Sequence, residues 1–153
     1  MLEIGQTVPP LTGVLQDGGS LALADLRGHP VVVYFYPKDH TPGCTREAQD
    51  FRDLYPQFRQ RGCEIVGVSR DSAASHGKFR DKHALPFPLV ADTDETWCNA
   101  FGVLGEKTLY GRRFVGVIRS TFLLDADGVL VAAWRGVKVP GHAAAVLERL
   151  PPA

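Results

Sequence analysis

The residues Pro37-Lys38-Asp39-His40-Thr41-Pro42-Gly43-Cys44 carry the chemistry that stands out in this sequence. They follow the apolar run Val31-Val32-Val33-Tyr34-Phe35-Tyr36 and precede a segment of helical periodicity. Thr41 suits a helix N-cap and Pro42 a first helical position, which makes Cys44 the third helical residue. Free backbone N–H groups and the positive end of the helix dipole favour a thiolate there. Pro37 ends the strand and stiffens the loop. Gly43 has no side chain to block an approaching ligand. The spacing predicts an accessible nucleophile just past a buried strand.

A thiolate that attacks a peroxide pushes negative charge onto the leaving oxygen. Donors aimed at those oxygens stabilise the transition state more than the ground state. The backbone N–H groups at 43–44 and the Thr41 hydroxyl are such donors, and an N-cap hydroxyl lies beside the thiol. A fixed cation close by would hold the thiol ionised, and arginine suits because it never deprotonates. His40 reads as a loop residue, since a helix-start thiolate beside a cation needs no base.

Other reactive residues are sparse. The chain has three cysteines, Cys44, Cys63 and Cys98, and five histidines. The cysteines show no C-x-x-C pair and the histidines no H-x-x-x-H spacing, so neither a disulfide framework nor a zinc motif is readable. Cys63 opens an apolar strand and reads as core. Cys98 lies beside Trp97 and Phe101, where a small thiol packs well.

The elements that position Cys44 follow from patterning. Residues 12–28 read as a hairpin and turn, residues 31–36 as a buried strand rich in Val and aromatics. Ala48, Phe51, Leu54, Tyr55 and Phe58 form the apolar stripe of a helix that stops at Gly62, with Pro56 expected to kink or split it. Residues 63–68 read as a second central strand, 75–83 as a helix, and 86–90 as the approach to a third strand. A short helix over 94–101 has Asp94 as its expected cap. Residues 120–134 form a hairpin around the turn at 125–128, and 141–150 a last helix. The sum is an α/β sandwich with a central mixed sheet flanked by helices and an N-terminal β-hairpin.

Bulk properties narrow the function. The 153 residues suit one domain over 1–153 with a real core. Lys+Arg and Asp+Glu both number 17, and this neutrality gives no support for nucleic acid or an anionic membrane surface as partner. No apolar run spans a bilayer and the first residues lack a signal-peptide pattern, so the expected compartment is the cytoplasm.

The segment resembles the active-site loop of the peroxiredoxins, P-x-x-x-T-x-x-C, with Pro37, Thr41 and Cys44 on the motif. Phe35 to Glu47, Val66 to Ser72, Gly102 to Lys107 with Tyr110-Gly111, and Gly116 to Asp125 together resemble the PrxQ or bacterioferritin comigratory protein group. The resemblance implies a thioredoxin-like fold and a thiol peroxidase acting on hydrogen peroxide and organic hydroperoxides without metal, flavin or haem. It makes Cys44 the peroxidatic cysteine, oxidised to a sulfenic acid. Thr41 becomes the hydroxyl that contacts peroxide and thiolate, and Pro37 the residue that shields the site. Arg119 becomes the arginine that favours the thiolate and holds the peroxide oxygens. On residue type alone Arg119 reads as a solvated strand end.

The chain departs from that group at the resolving step. The two positions where members carry a second cysteine are Gln49 and Arg80 here. The expectation is a one-cysteine cycle in which an external thiol, such as thioredoxin or glutaredoxin, regenerates Cys44. The rival is a bridge to Cys98. The resemblance leans towards a monomer, or at most a weak dimer. A disulfide reductase is disfavoured because Thr41 stands where its second thiol belongs. A redox sensor or holdase on the same fold is the non-catalytic alternative.

Overall fold

The computed structural model describes residues 1–151. The chain opens with a hairpin, β1 (Thr12–Leu15) and β2 (Ser20–Ala22), turned at Gly18 with φ +85°. A 3₁₀ turn over Leu23–Leu26 then leads to β3 (Val31–Phe35), buried on both faces. Helix α1 (Pro42–Gln60) returns across the sheet to β4 (Glu64–Ser69). Helix α2 (Ala73–His83) leads to β5 (Leu89–Ala91), and a short helix α3 (Thr96–Phe101) follows. A hairpin, β6 (Leu104–Leu109) and β7 (Arg112–Val117), stands apart as a two-stranded sheet. Strands β8 (Ser120–Leu124) and β9 (Leu130–Arg135) and helix α4 (His142–Arg149) complete the chain.

The main sheet has the order β2-β1-β5-β4-β3-β8-β9. Strand β3 pairs parallel with β4 and antiparallel with β8. Alternation along β3 divides the core into two layers. Val32, Tyr34 and Tyr36 pack with Ala48, Phe51 and Phe58 of α1 and with Val146 of α4. Val31, Val33 and Phe35 pack on the other face with Trp97 and Phe101 of α3 and with Val117. A strand covered on both sides reads as a continuous apolar run, and that is why 31–36 was legible.

Phe35 at the end of β3 is opposite both Val68 of β4 and Ser120 of β8. This register brings the carboxyl end of β3, the start of α1 and the β7–β8 junction to one edge of the molecule.

Three local expectations change. Pro56 does not split α1, which runs unbroken to Gln60. Pro56 is exposed, so the Arg52 carbonyl that loses its helix partner lies on the side open to water. Gly62 does end the turn, with φ +69°. The carboxylate over the start of α3 is chiefly that of Asp92, which accepts from Trp97 N–H at 3.0 Å and Cys98 N–H at 2.8 Å. Asp94 accepts from Thr96 N–H, at 3.1 Å. The β6–β7 hairpin is an addition. Its turn residues Tyr110 and Gly111 have φ of 51° and 77°, the positive pair of a type I′ turn. With Leu109, Tyr110, Phe114 and Val115 exposed, it lacks the apolar-in, polar-out signature of a core strand. No helix of the described residues is long and apolar enough to cross a membrane.

Candidate active site

Helix α1 begins as the loop geometry predicts: Thr41 is extended at the N-cap and Pro42 is the first helical residue. The first backbone bond runs from Thr45 N–H to the Thr41 carbonyl at 2.9 Å. The N–H groups of Gly43 and Cys44 stand ahead of it, where a helix offers its donors to ligands. Thr41 departs from expectation in its bonding. Its hydroxyl makes no capping bond and donates to the Lys38 carbonyl at 2.7 Å. The oxygen's lone pairs remain able to accept a further hydrogen bond. Pro37 is half-buried, directly after Tyr36 and ahead of this loop.

Cys44 is buried, with 2% of its surface exposed, where an open position was expected. Its partner is Arg119. The register of β3 and β8 carries that residue to the start of α1, and Arg119 Nη2 donates to Cys44 Sγ at 3.4 Å. A Cβ on Gly43 would lie 3.3 Å from the same Nη2, so glycine leaves room for the guanidinium. Arg119 is no solvated strand end: its other arm, Nη1, donates to Glu47 Oε1 at 2.7 Å.

Glu47 is the residue that reading the sequence missed. It lies three residues after Cys44 and so shares its helix face. A glutamate among Cys44, Ala48 and Phe51 on an apolar stripe is the signal that could have found it. Burial pushes its carboxyl up to about 7, against the pull of Arg119. The Glu47 Oε2 and Tyr34 hydroxyl atoms are both buried without a hydrogen-bond partner among the described residues. Burial, then the Glu47 and Cys44 charges, drive the Tyr34 phenol well above its usual range. Lys107 of β6 also feels the site: burial and then Arg119 lower its ammonium, while Cys44 opposes them.

The remaining cysteines are elsewhere. All three thiols are free. Cys98 is fully buried in the layer on the opposite face of the sheet from Cys44. Burial, reinforced by Asp92, drives its thiol far up. Cys63 precedes Glu64, which pairs with Val31 at the far end of β3. Burial pushes that thiol up to about 12. Gln49 touches His83 across 3.4 Å, and Arg80 donates to the Phe87 carbonyl at 3.1 Å. An apolar groove of about 430 Å³ lined by Pro30, Leu124 and Val131 lies at the opposite end of the strands.

A thiol facing an arginine and helix N–H donors in a near-dry site is suited to attack on a small electrophile whose departing oxygen needs protons or hydrogen bonds. Comparison with known proteins points the same way. The AhpC/TSA family model matches residues 4–133. Peroxiredoxin Bcp of Xanthomonas campestris is 50% identical over 150 residues, spanning 98% of this chain and 94% of that protein. Peroxiredoxin Bcp of Bacillus subtilis is 46% identical over 149 residues, spanning 97% and 95%. A solved structure of a Xylella fastidiosa PrxQ mutant is similar with a TM-score of 0.93 at 44% identity, covering 98% of this chain and 96% of that one. The Xanthomonas campestris bacterioferritin comigratory protein, studied for its alkyl peroxide reduction activity, gives 0.90 at 49%, with 98% and 96% covered. These neighbours share the thioredoxin-like architecture that the resemblance implied. Likeness that runs almost end to end, on top of a thiol held by an arginine, leaves one assignment: the chain belongs to the AhpC/TSA family, in its peroxiredoxin Q or Bcp group of thiol peroxidases.

Proposed function

We propose that Cys44 runs a one-cysteine peroxidase cycle on hydrogen peroxide and organic hydroperoxides, with Thr41, Arg119 and Pro37 completing the site. The observation that carries it is the 3.4 Å contact from Arg119 Nη2 to Cys44 Sγ, with Cys98 in the core layer behind the sheet. The Cys44 thiolate attacks the near peroxide oxygen. An S–O bond forms and the O–O bond breaks. The departing oxygen takes a proton and leaves as water or alcohol, while the sulfur becomes a sulfenic acid. Arg119 and the N–H groups of Gly43 and Cys44 hold the charge that grows on the oxygens. The Thr41 hydroxyl accepts the substrate's proton-bearing end, and Pro37 keeps water from the site.

An external thiol then attacks the Cys44 sulfur and releases water. A second thiol resolves the mixed disulfide, restores Cys44 and leaves the reductant as a disulfide. Thioredoxin or glutaredoxin supplies these thiols. Residues 1–153 act as one domain and a monomer in the cytoplasm, a reducing setting that suits three unpaired thiols. The alkyl peroxide activity attached to the Xanthomonas campestris relative supports organic substrates.

Mass spectrometry after one equivalent of hydrogen peroxide tests the cycle. The expected product carries one added oxygen on Cys44, trapped as a sulfenic acid adduct, and Cys44→Ser abolishes the reaction. A Cys44–Cys98 disulfide in high yield would overturn the one-cysteine cycle.

A further inference from the structure

Asp39 lies between Pro37 and Thr41 in the loop that leads to Cys44, yet it is an aspartate with only 3% of its surface exposed. Its carboxylate is fully engaged. Tyr36 hydroxyl donates to Oδ1 at 2.6 Å, and Ser75 hydroxyl donates to Oδ2 at 2.8 Å. His76 Nδ1 faces the same Oδ2 at 2.7 Å, and its Nε2 faces the Val90 carbonyl at 2.9 Å. Both ring nitrogens thus meet oxygen atoms, and the Tyr36 hydroxyl lies 3.4 Å from the same Nδ1, so His76 joins the loop, the sheet and α2 in one buried polar cluster. The hydrogen bond with His76 is the chief influence drawing the Asp39 carboxyl below its usual range against the cost of burial.

The loop backbone is pinned as well. Asp39 N–H donates to Asp71 Oδ2 at 2.9 Å, and Asp71 is itself held by the Ser69 hydroxyl. Asp39, Asp71 and His76 come close enough for a cation, but the Asp39 carboxylate and Asp71 Oδ2 already accept from donors of the protein. The next residue, His40, adopts φ +64°, a left-handed conformation that costs a non-glycine residue and persists only where its surroundings impose it. One residue further on, Thr41 turns its hydroxyl onto the Lys38 carbonyl. The strained bend and the Thr41 geometry sit directly on the Asp39 anchor.

We propose that Asp39 and His76 are positioning residues for the peroxidase reaction: their contact ties the catalytic loop to β5 and α2, and this sets where Thr41 and the helix N–H groups meet the peroxide. Neither touches Cys44. This inference rests on the roles given above to Thr41 and to the Gly43 and Cys44 N–H groups.

The test compares two reactions of Cys44 in the folded full chain and its Asp39→Asn variant. Oxidation by hydrogen peroxide reads the donor array. Alkylation by iodoacetamide reads the thiol without that array. Asp39→Asn keeps the shape and removes the charge. The peroxide rate constant is expected to fall at least fivefold while alkylation stays the same or rises as the loop loosens. A fall of less than fivefold overturns the proposal. So does a proportional fall in both rates, which would place the effect on the thiol itself. Should Asp39→Asn fail to fold, Tyr36→Phe removes one donor from the same carboxylate and is read against a twofold threshold. The wild-type chain runs alongside: its own failure to consume peroxide would remove the peroxidase reading, whereas a variant that matches it removes only this one.

Discussion

Cys44 loses its solvent and gains its cation in the same packing event. The guanidinium of Arg119 spans Glu47 Oε1 at 2.7 Å and Cys44 Sγ at 3.4 Å, so one cation serves two acidic groups on neighbouring turns of α1. Glu47 fixes the fork, and its own ionisation is the cost. Burial raises its carboxyl from 4.5 to about 7, so the folded chain keeps a proton that the unfolded chain releases between those values. The resulting stabilisation is complete below pH 4.5 and disappears as pH rises through 7, a change of up to about 3 kcal/mol. Glu47→Gln has no such proton to hold. In the variant the urea midpoint at pH 7.5 is expected to rise relative to that at pH 5, compared with the same difference in wild type. Parallel pH dependence in the two chains would mean that Arg119 keeps Glu47 ionised throughout. The motif fixes Cys44 and Thr41 by their spacing. The missed Glu47 differs because a carboxylate within an apolar stripe acquires meaning only from the cation that arrives from elsewhere.

At the scale of elements, α1 supplies the thiol and its N–H donors, while the start of β8 supplies the arginine. The link between them is the register Phe35 opposite Ser120, set by two strands 85 residues apart in the chain. Helix α4 backs this arrangement through His142, at its first turn. His142 Nε2 meets the Thr121 hydroxyl at 2.7 Å, and its ring packs edge-on to Phe51 of α1. Burial, then Arg119, lowers the imidazole to about 4 from 6.5. His142 is therefore neutral in the fold. Its contribution is complete above pH 6.5 and is lost as pH falls towards 4, an effect on the order of 2 kcal/mol once solvent screening at this less enclosed site is counted. His142→Gln is expected to raise stability at pH 4 relative to pH 7, compared with the same difference in wild type, measured by thermal melts from pH 4 to 7. An unchanged acid limb would place the titration elsewhere. This slope opposes that of Glu47 over much the same range, so the two variants expose what wild type partly cancels. Helix α4 and the β8–β9 hairpin were readable from periodicity and turn residues. The β6–β7 hairpin was not, because its exposed side chains leave no burial pattern to read.

For the molecule as a whole, the sheet acts as a wall. Cys44 belongs to the layer shared with α1 and α4, and Cys98 to the layer shared with α3 and the N-terminal segment. A Cys44–Cys98 bond would need Cα atoms no more than about 7 Å apart and hence a rearrangement through the core. Cys98→Ser is expected to keep peroxide turnover within twofold of wild type when an external thiol is supplied, followed as peroxide consumption at steady state. Loss of turnover in a folded variant would restore Cys98 as the resolving thiol.

The sequence by itself determined the candidate nucleophile, its helix-start environment and the alternation of strand and helix, because these depend on neighbours in the chain. Spacing placed Thr41 and Cys44 on one turn, and apolar runs marked β3 and β4 as central. Arg119 was legible only through the family resemblance, since its residue type alone reads as solvated. Tertiary structure alone decided that Cys44 is covered, that Glu47 shares its arginine, that Asp39 is anchored by His76, and that Cys98 lies behind the sheet. Each of these depends on strand register and burial. Residues 32 to 75 positions apart are brought within hydrogen-bond reach there, and the loss of water decides which charges survive.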